Sequence, residues 1–339
     1  MEQVLGRQIP DSWAATNALS AGPLTRIADL TGEQVRQVLD VAGALAHHPS
    51  EMQRERAGDL VVLYLTEAST RTRVTFAHAA ARVGATVVVV GPAELARLGG
   101  TLDDFAQAIS SYAGAIVART GDADLEHLAA TASVPVINGR SDRHQPVQAL
   151  ADLLTLRTTF DTLDDRRVAY IGDGTSVCHS LIEACALTGI DLRLVCPPGR
   201  GPDAEVLARA GALPARVGTT SGPTLTYDAA EAVDGVDALY LGPWLAGALP
   251  DDESAAVPSY PVTRDLLDRA APHAIVLHSQ PRQLGPADGS LARQVLRDPR
   301  SRGRQQADNR RHVAAALLVT LRGGQTKGPA PETRVLTTA

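Results

Sequence analysis

The sequence predicts an α/β protein of two similar-sized domains, each a parallel sheet covered by helices. Three observations carry that expectation. The chain has 339 residues, enough for roughly two domains of about 150 residues each. Short runs rich in Val, Ile and Leu alternate with helix-like segments over most of its length, the pattern of parallel strands joined by crossover helices. These runs also fall into two groups, separated by one apolar helical segment and a polar stretch.

Taken in order, the first 20 or so residues have weak periodicity and suit an arm or an oligomer contact. Candidate strands then run from Val61 to Leu65, Thr86 to Val90, Ala115 to Arg119 and Val134 to Asn138. In Pro146 to Phe160, the residues Leu150, Leu153, Leu154 and Leu156 form a helical stripe. The polar run Asp161 to Arg167 follows, so the domain break is expected near residue 160 with this helix as a bridge. The second group is Arg167 to Ile171, Asp191 to Cys196, Asp237 to Leu241 and Ala274 to Leu277. A last helix, from about Gln306 to Leu321, carries an Ala-Leu-Val face apolar enough for burial and ends at Gly323-Gly324. Residues 323–339, rich in Gly, Pro and Thr, are expected to be a disordered tail.

Composition removes several function classes. The 32 basic and 38 acidic residues give a formal charge of -6 without a basic stripe, so nucleic acid is not an expected partner. Apolar runs such as Thr86 to Val90 are strand-sized, far short of the roughly 20 residues a membrane span needs. The N-terminus lacks a signal peptide's basic-then-apolar pattern, and a cytoplasmic protein is the default expectation. Cys178, Cys185 and Cys196 form no CxxC pair, which suggests neither a disulfide framework nor a zinc knuckle. Lys327 is the single lysine, so the other 31 of the 32 basic residues are arginines. A Schiff-base lysine, a pyridoxal anchor and a GxxxxGK[ST] loop all need an ordered lysine. Any anion site must instead use arginine forks and backbone N–H groups.

The strongest local signal is Ser69-Thr70-Arg71-Thr72-Arg73, directly after a strand and opening a helix through Phe76, Ala77, Ala80 and Val83. Free N–H groups of a first helical turn, three hydroxyls and a guanidinium fork together make an anion site. A generic reading, a helix capped by Ser69 or Thr70 with two solvated arginines, is outweighed by the uninterrupted five-residue cluster.

This pentapeptide resembles the STRTR signature of the aspartate and ornithine carbamoyltransferase family, and the likeness recurs in order along nearly the whole chain. Gln145-Pro146-Val147-Gln148-Ala149-Leu150-Ala151-Asp152-Leu153 is similar to the family's HPTQ-x-L-x-D-L segment. Val168 to Gly174 resembles the start of the family's second domain, and His278-Ser279-Gln280-Pro281-Arg282 stands where the family has HCLP or HPLPR. Gln306-Ala307-Asp308-Asn309-Arg310-Arg311-His312 resembles the ornithine branch's AENRxH helix start.

The resemblance implies the carbamoyltransferase fold and a trimer with shared active sites, working on carbamoyl phosphate and a small amine without metal or cofactor. It implies a carbamoyl-phosphate domain over residues 1–160, an acceptor domain over 161–305, and a C-terminal helix over 306–322 that returns to the first domain. Ser69, Thr70, Arg71 and Thr72 would hold the phosphate. Arg119 would bridge phosphate and carbamoyl oxygen, Gln148 would accept from the carbamoyl NH2, and Arg310 would lean in from the closing helix. Thr72, Arg119 and Gln145 would face the developing oxyanion. Thr175, Ser176, Gly242, Trp244, Ser279, Gln280 and Arg282 would surround the acceptor.

Several positions depart from the family pattern. Gln145 takes the place of a histidine, and its amide can donate but cannot carry an imidazolium's charge. The loop Arg97 to Thr101 lacks the family's lysine and glutamate. On the acceptor side, the amine-binding aspartate is Gly242, the loop serine is Ala246, the paired asparagines are Thr175 and Ser176, and the HCLP cysteine is Ser279. Unpaired charged ends would cost ornithine several kcal/mol, so the expected acceptor is neither ornithine nor aspartate but a smaller amine, for example a short diamino acid in specialised metabolism. The alternative is a catalytically lapsed paralogue that binds a phosphate-bearing ligand or a partner protein. A dinucleotide site at Gly172-Asp173-Gly174 is a distant third, because Val177 stands where the fingerprint needs its third glycine.

Overall fold

A computed structural model describes Leu19 and residues 22–47, 55–98, 100–213, 222–243, 262–278, 295 and 297–321. The expected terminal tail, and Trp244, Ser279, Gln280 and Arg282, lie outside these described residues.

The described strands are β1 (Leu60–Leu65), β2 (Thr86–Val90), β3 (Ala115–Arg119), β4 (Val136–Arg140), β5 (Arg167–Ile171), β6 (Asp191–Val195), β7 (Thr224–Thr226), β8 (Ala238–Leu241) and β9 (Ile275–His278). They form two all-parallel sheets, ordered β2-β1-β3-β4 and β7-β6-β5-β8-β9. Local signals punctuate the elements between them. Gly84 at φ 83° and Gly189 at φ 76° close the Thr70–Val83 and Ser176–Thr188 helices in the left-handed region, where a residue without Cβ is unstrained. Pro146 opens the Pro146–Phe160 helix at a position whose N–H needs no partner.

Alternation along the strands sorts side chains to two faces of each sheet. In the first sheet Val61, Leu63, Leu65, Val117 and Ile137 face one large core, whereas Val62, Tyr64, Ile116 and Ala118 pack with Phe105, Leu125 and Leu128 on the other side. In the second sheet Val168, Tyr170, Leu194, Tyr240 and Leu277 join that same large core, and Ala169, Ile171, Leu239, Leu241 and Val276 turn to a separate cluster. The two inner faces therefore share one apolar layer, supplied by the helices Gly32–His47, Pro146–Phe160, Ser176–Thr188 and Gly303–Thr320. The Gly303–Thr320 helix packs against Pro146–Phe160, Gly32–His47 and Thr70–Val83, which places it on the first sheet's side.

Three element boundaries differ from the sequence expectation for physical reasons. β4 begins at Val136 instead of Val134, because Pro135 has no N–H for the ladder and only its carbonyl is used, by Ile116 at 2.9 Å. β7 has no apolar run to announce it: Thr224–Thr226 is an edge strand whose side chains are largely exposed. The last helix starts at Gly303, where a Cβ would overlap the His278 imidazole. Among the described residues no helix is long and apolar enough to cross a membrane.

Candidate active site

In the first sheet, β1 and β3 are neighbours while β2 and β4 lie to their outer sides. The connections leave in opposite directions, and a crevice opens at the carboxyl ends of β1 and β3. β1 leads through Thr66–Ser69 into the Thr70–Val83 helix. Ser69 caps that helix, its Oγ accepting from the Thr72 N–H at 3.3 Å and donating to Thr72 Oγ1 at 2.9 Å. β3 ends at Arg119. The cavity between them, about 590 Å³, is lined by Ser69, Thr70, Arg71, Thr72, Arg119, Arg140, Gln145 and Arg310 among others, and no carboxylate is among its described lining residues.

Among the described residues, four guanidinium groups and no carboxylate thus line one cavity. Burial lowers the pKa of Arg71, and the charges of Arg119 and Arg140 lower it further. Burial, then the Arg71 charge, brings Arg310 down to about 10, with Asp152 opposing, so it remains a cation at neutral pH. Arg119 reaches Glu67 at 3.2 Å, yet its buried Nε has no partner among the described residues, and neither does the Nε of Arg310. Mutual repulsion and unused donors are both relieved by a multiply charged anion.

A buried polar network holds this wall in place. Arg310 donates to Gln148 Oε1 at 2.7 Å, and the His278 N–H donates to Gln306 Oε1 at 3.0 Å. Both donors are obligatory, so both amide NH2 groups point the other way, to Asp152 Oδ1 at 2.8 and 2.7 Å. Tyr240 donates to Asp152 Oδ2 at 3.0 Å. Complete burial pushes the Asp152 carboxyl up to about 7, against the lowering effect of these three donors. Asp152 ties the bridging helix, the last helix and β8 into one unit. Gln148 does not line the cavity; its oxygen serves Arg310.

The second sheet has the equivalent crevice between β5 and β8, and described side chains occupy part of it. Tyr170 donates to the Asp173 carbonyl at 2.6 Å and stacks on Tyr240 at 5.6 Å between centroids. A Cβ at Gly242 would overlap the Tyr170 hydroxyl. Asp173 accepts both arms of Arg200, at 3.1 and 2.9 Å. Thr175 stands at the start of the Ser176–Thr188 helix without a side-chain cap bond, and the Ser176 Oγ accepts from Gln145 Nε2 at 2.7 Å. Gln145 lines the first cavity, whereas Thr175, Ser176 and Gly242 do not.

Comparison with known proteins matches this architecture over nearly the whole chain. Residues 23–158 match the family described as "Aspartate/ornithine carbamoyltransferase, carbamoyl-P binding domain", and residues 164–321 match its "Asp/Orn binding domain". The chain belongs to the aspartate/ornithine carbamoyltransferase family. Its similarity to the protein named ornithine carbamoyltransferase in Thermosynechococcus vestitus is 38% identity over 304 residues, covering 88% of this chain and 95% of that one. A Parafrankia protein of the same name is 38% identical over 310 residues, covering 88% and 96%. The solved ornithine carbamoyltransferase from Pyrococcus furiosus superposes with a TM-score of 0.82 at 31% identity, covering 91% of this chain and 99% of that one. The two-domain α/β carbamoyltransferase fold expected from the sequence is the fold observed.

Within this carbamoyltransferase frame, the motif-led reading missed Arg140, Asp152, Tyr170 and Tyr240 as parts of the site. Arg140 ends β4 as Arg119 ends β3, but the expected strand stopped at Asn138, so the sequence offered no such parallel. Asp152 lay inside a quoted motif, where a carboxylate within an otherwise apolar helix needs buried donors.

Proposed function

We propose that the protein transfers the carbamoyl group of carbamoyl phosphate to a small amine other than ornithine or aspartate. The cavity at the N-terminus of the Thr70–Val83 helix, with four arginines and no carboxylate among its described lining residues, carries this reading. Ser69, Thr70, Arg71 and Thr72 offer hydroxyls, helix N–H groups and a fork to the phosphate. A neutral amine attacks the carbamoyl carbon, a C–N bond forms, and the carbonyl oxygen becomes an oxyanion beside Thr72 and Arg119. Collapse breaks the C–O bond to phosphate, and a phosphate oxygen takes the amine's proton. Catalysis is then positioning of two substrates and pre-aimed donors. Arg310, held by Gln148, closes the far wall. Gln145 contributes an amide whose nitrogen also donates to Ser176.

In the proposal, residues 1–160 with the C-terminal helix form the donor half and residues 161–305 the acceptor half, in a cytoplasmic homotrimer. Gly242 supports the choice of acceptor. It stands where the family resemblance places the amine-gripping aspartate, and no side chain fits there while Tyr170 keeps its position. The relatives' name supports carbamoyl transfer over a lapsed paralogue and makes ornithine the acceptor to compare against. The test is a side-by-side assay of ornithine, aspartate, putrescine and 2,3-diaminopropionate with carbamoyl phosphate. The proposal expects a product from an amine other than ornithine or aspartate; either of those as the best substrate overturns the acceptor assignment.

A further inference from the structure

The motif residues account for three of the four cavity arginines and leave Arg140 without a role. Its placement is set by the backbone. β3 and β4 pair in step at Ile116 with Val136, Val117 with Ile137 and Ala118 with Asn138, and the register then slips so that Arg119 stands opposite Arg140. Gly139 is the extra residue, and it sits in a tight place. A Cβ there would come within 3.2 Å of both the Ala118 carbonyl and the Thr72 methyl, tighter than side chains normally pack. Without the bulge Arg140 would pair one residue later. With it, two arginines on adjacent parallel strands, roughly 5 Å apart along the sheet, project to the same side.

That juxtaposition costs energy unless something anionic occupies the space both can reach. Arg140 makes no hydrogen bond or ion pair within the described residues. Glu67, paired with Arg119 at 3.2 Å, and Asp142 act on the Arg140 charge only from a smaller neighbouring cavity of about 60 Å³ that both arginines also border, so the larger cavity's side of the pair is left without a described counter-charge. Meanwhile Gln145 is neutral, and its amide nitrogen is engaged by Ser176 at 2.7 Å. The cavity therefore has a fourth fork beside Arg119 and lacks a charge where the family resemblance places a histidine.

We infer that Arg140 binds the carbamoyl phosphate anion alongside Arg119 and supplies, from β4, the positive charge that Gln145 does not carry. This rests on the carbamoyl-phosphate reading of the cavity. Arg140 adds a fork to the bound dianion and to the oxyanion that grows from it, and Gln145 then serves as a neutral spacer toward Ser176.

The experiment measures carbamoyl phosphate binding by calorimetry and kcat with the best amine of the panel, for wild type, Arg140→Gln, Arg140→Lys, Gln145→His and the Arg140→Gln/Gln145→His double variant. Arg140→Gln is expected to raise the donor Kd about tenfold and lower kcat about 100-fold, with the acceptor KM unchanged and the ligand-free Tm unchanged or raised. Arg140→Lys should retain most of both. Gln145→His should recover about tenfold of the lost kcat in the double variant while changing wild type far less, because a charge is missing only in the former. Wild type that binds no carbamoyl phosphate overturns the functional reading itself. Wild type that binds, with Arg140→Gln equal to it in Kd and kcat or altered only in acceptor KM, overturns the role of Arg140 alone. A ligand-free Tm drop in Arg140→Gln that Arg140→Lys does not repair would make the residue structural and overturn it as well.

Discussion

The two sheets carry the same device at the same place and use it in opposite ways. Each has a crevice where neighbouring strands diverge, β1 with β3 and β5 with β8, and each crevice meets a helix N-terminus. At the first, Ser69 and Thr72 cap the helix between themselves and four arginines face an open cavity. At the second, Asp173 is clamped by Arg200, and Tyr170 fills the space over Gly242. Topology offers two crevices; among the described residues, arginines line an open cavity at the first, and a tyrosine and an internal ion pair occupy part of the second.

The largest effect should come from the open crevice. Arg71→Ala removes a guanidinium from the cavity wall and is expected to lower kcat/KM by about 100-fold or more, with carbamoyl phosphate no longer raising Tm. Unchanged donor affinity in that variant would separate the helix start from the anion site. At the second crevice, Gly242→Ala should cost about 1–3 kcal/mol by overpacking against Tyr170, read as a lower urea midpoint. Combining it with Tyr170→Ala sharpens the comparison: the double variant should lose less than the sum of the singles. Additive losses would mean that Tyr170 does not occupy the Gly242 space.

The Asp152 hub that joins the two halves gives a pH-dependent effect. Its folded carboxyl, at about 7, lies above the unfolded value of about 3.9. The folded state therefore holds the proton more tightly, and its contribution is complete below about pH 4 and lost as pH rises to about 7. The slope from this group is at most about 1.4 kcal/mol per pH unit. Asp152→Asn should flatten the stability profile across that window; an unchanged slope would place the titration elsewhere. Smallest of all should be the exposed pairs from Arg143 to Asp203 and Glu205, at 2.9 and 2.8 Å. Arg143→Ala should cost under about 1 kcal/mol, and the loss should shrink further in high salt.

Where chemistry and position are local in the chain, sequence sufficed. Ser69 to Arg73 follows its strand within a few residues, and the Pro146–Phe160 helix has Pro146 at its start and a polar run at its end, so both were read to the residue. Arg140 was invisible because its place depends on a one-residue slip between strands, which no local pattern announces. The overlap of Tyr170 with Gly242 lies between β5 and β8, two elements distant in sequence. The glycine could be read as a missing aspartate, but not as a position that a tyrosine had already taken. β4 and β7 misled the eye for simpler reasons, a proline without an N–H and an edge strand whose one apolar residue, Leu225, is exposed.

The most direct measurement of the central claim is the product mass, together with phosphate release, when purified protein is given 13C-labelled carbamoyl phosphate and the amine panel. The account predicts stoichiometric phosphate and an acceptor heavier by one labelled carbamoyl group, formed faster with a short amine than with ornithine. Phosphate release without a carbamoylated product, or no product from any amine despite bound carbamoyl phosphate, would contradict it.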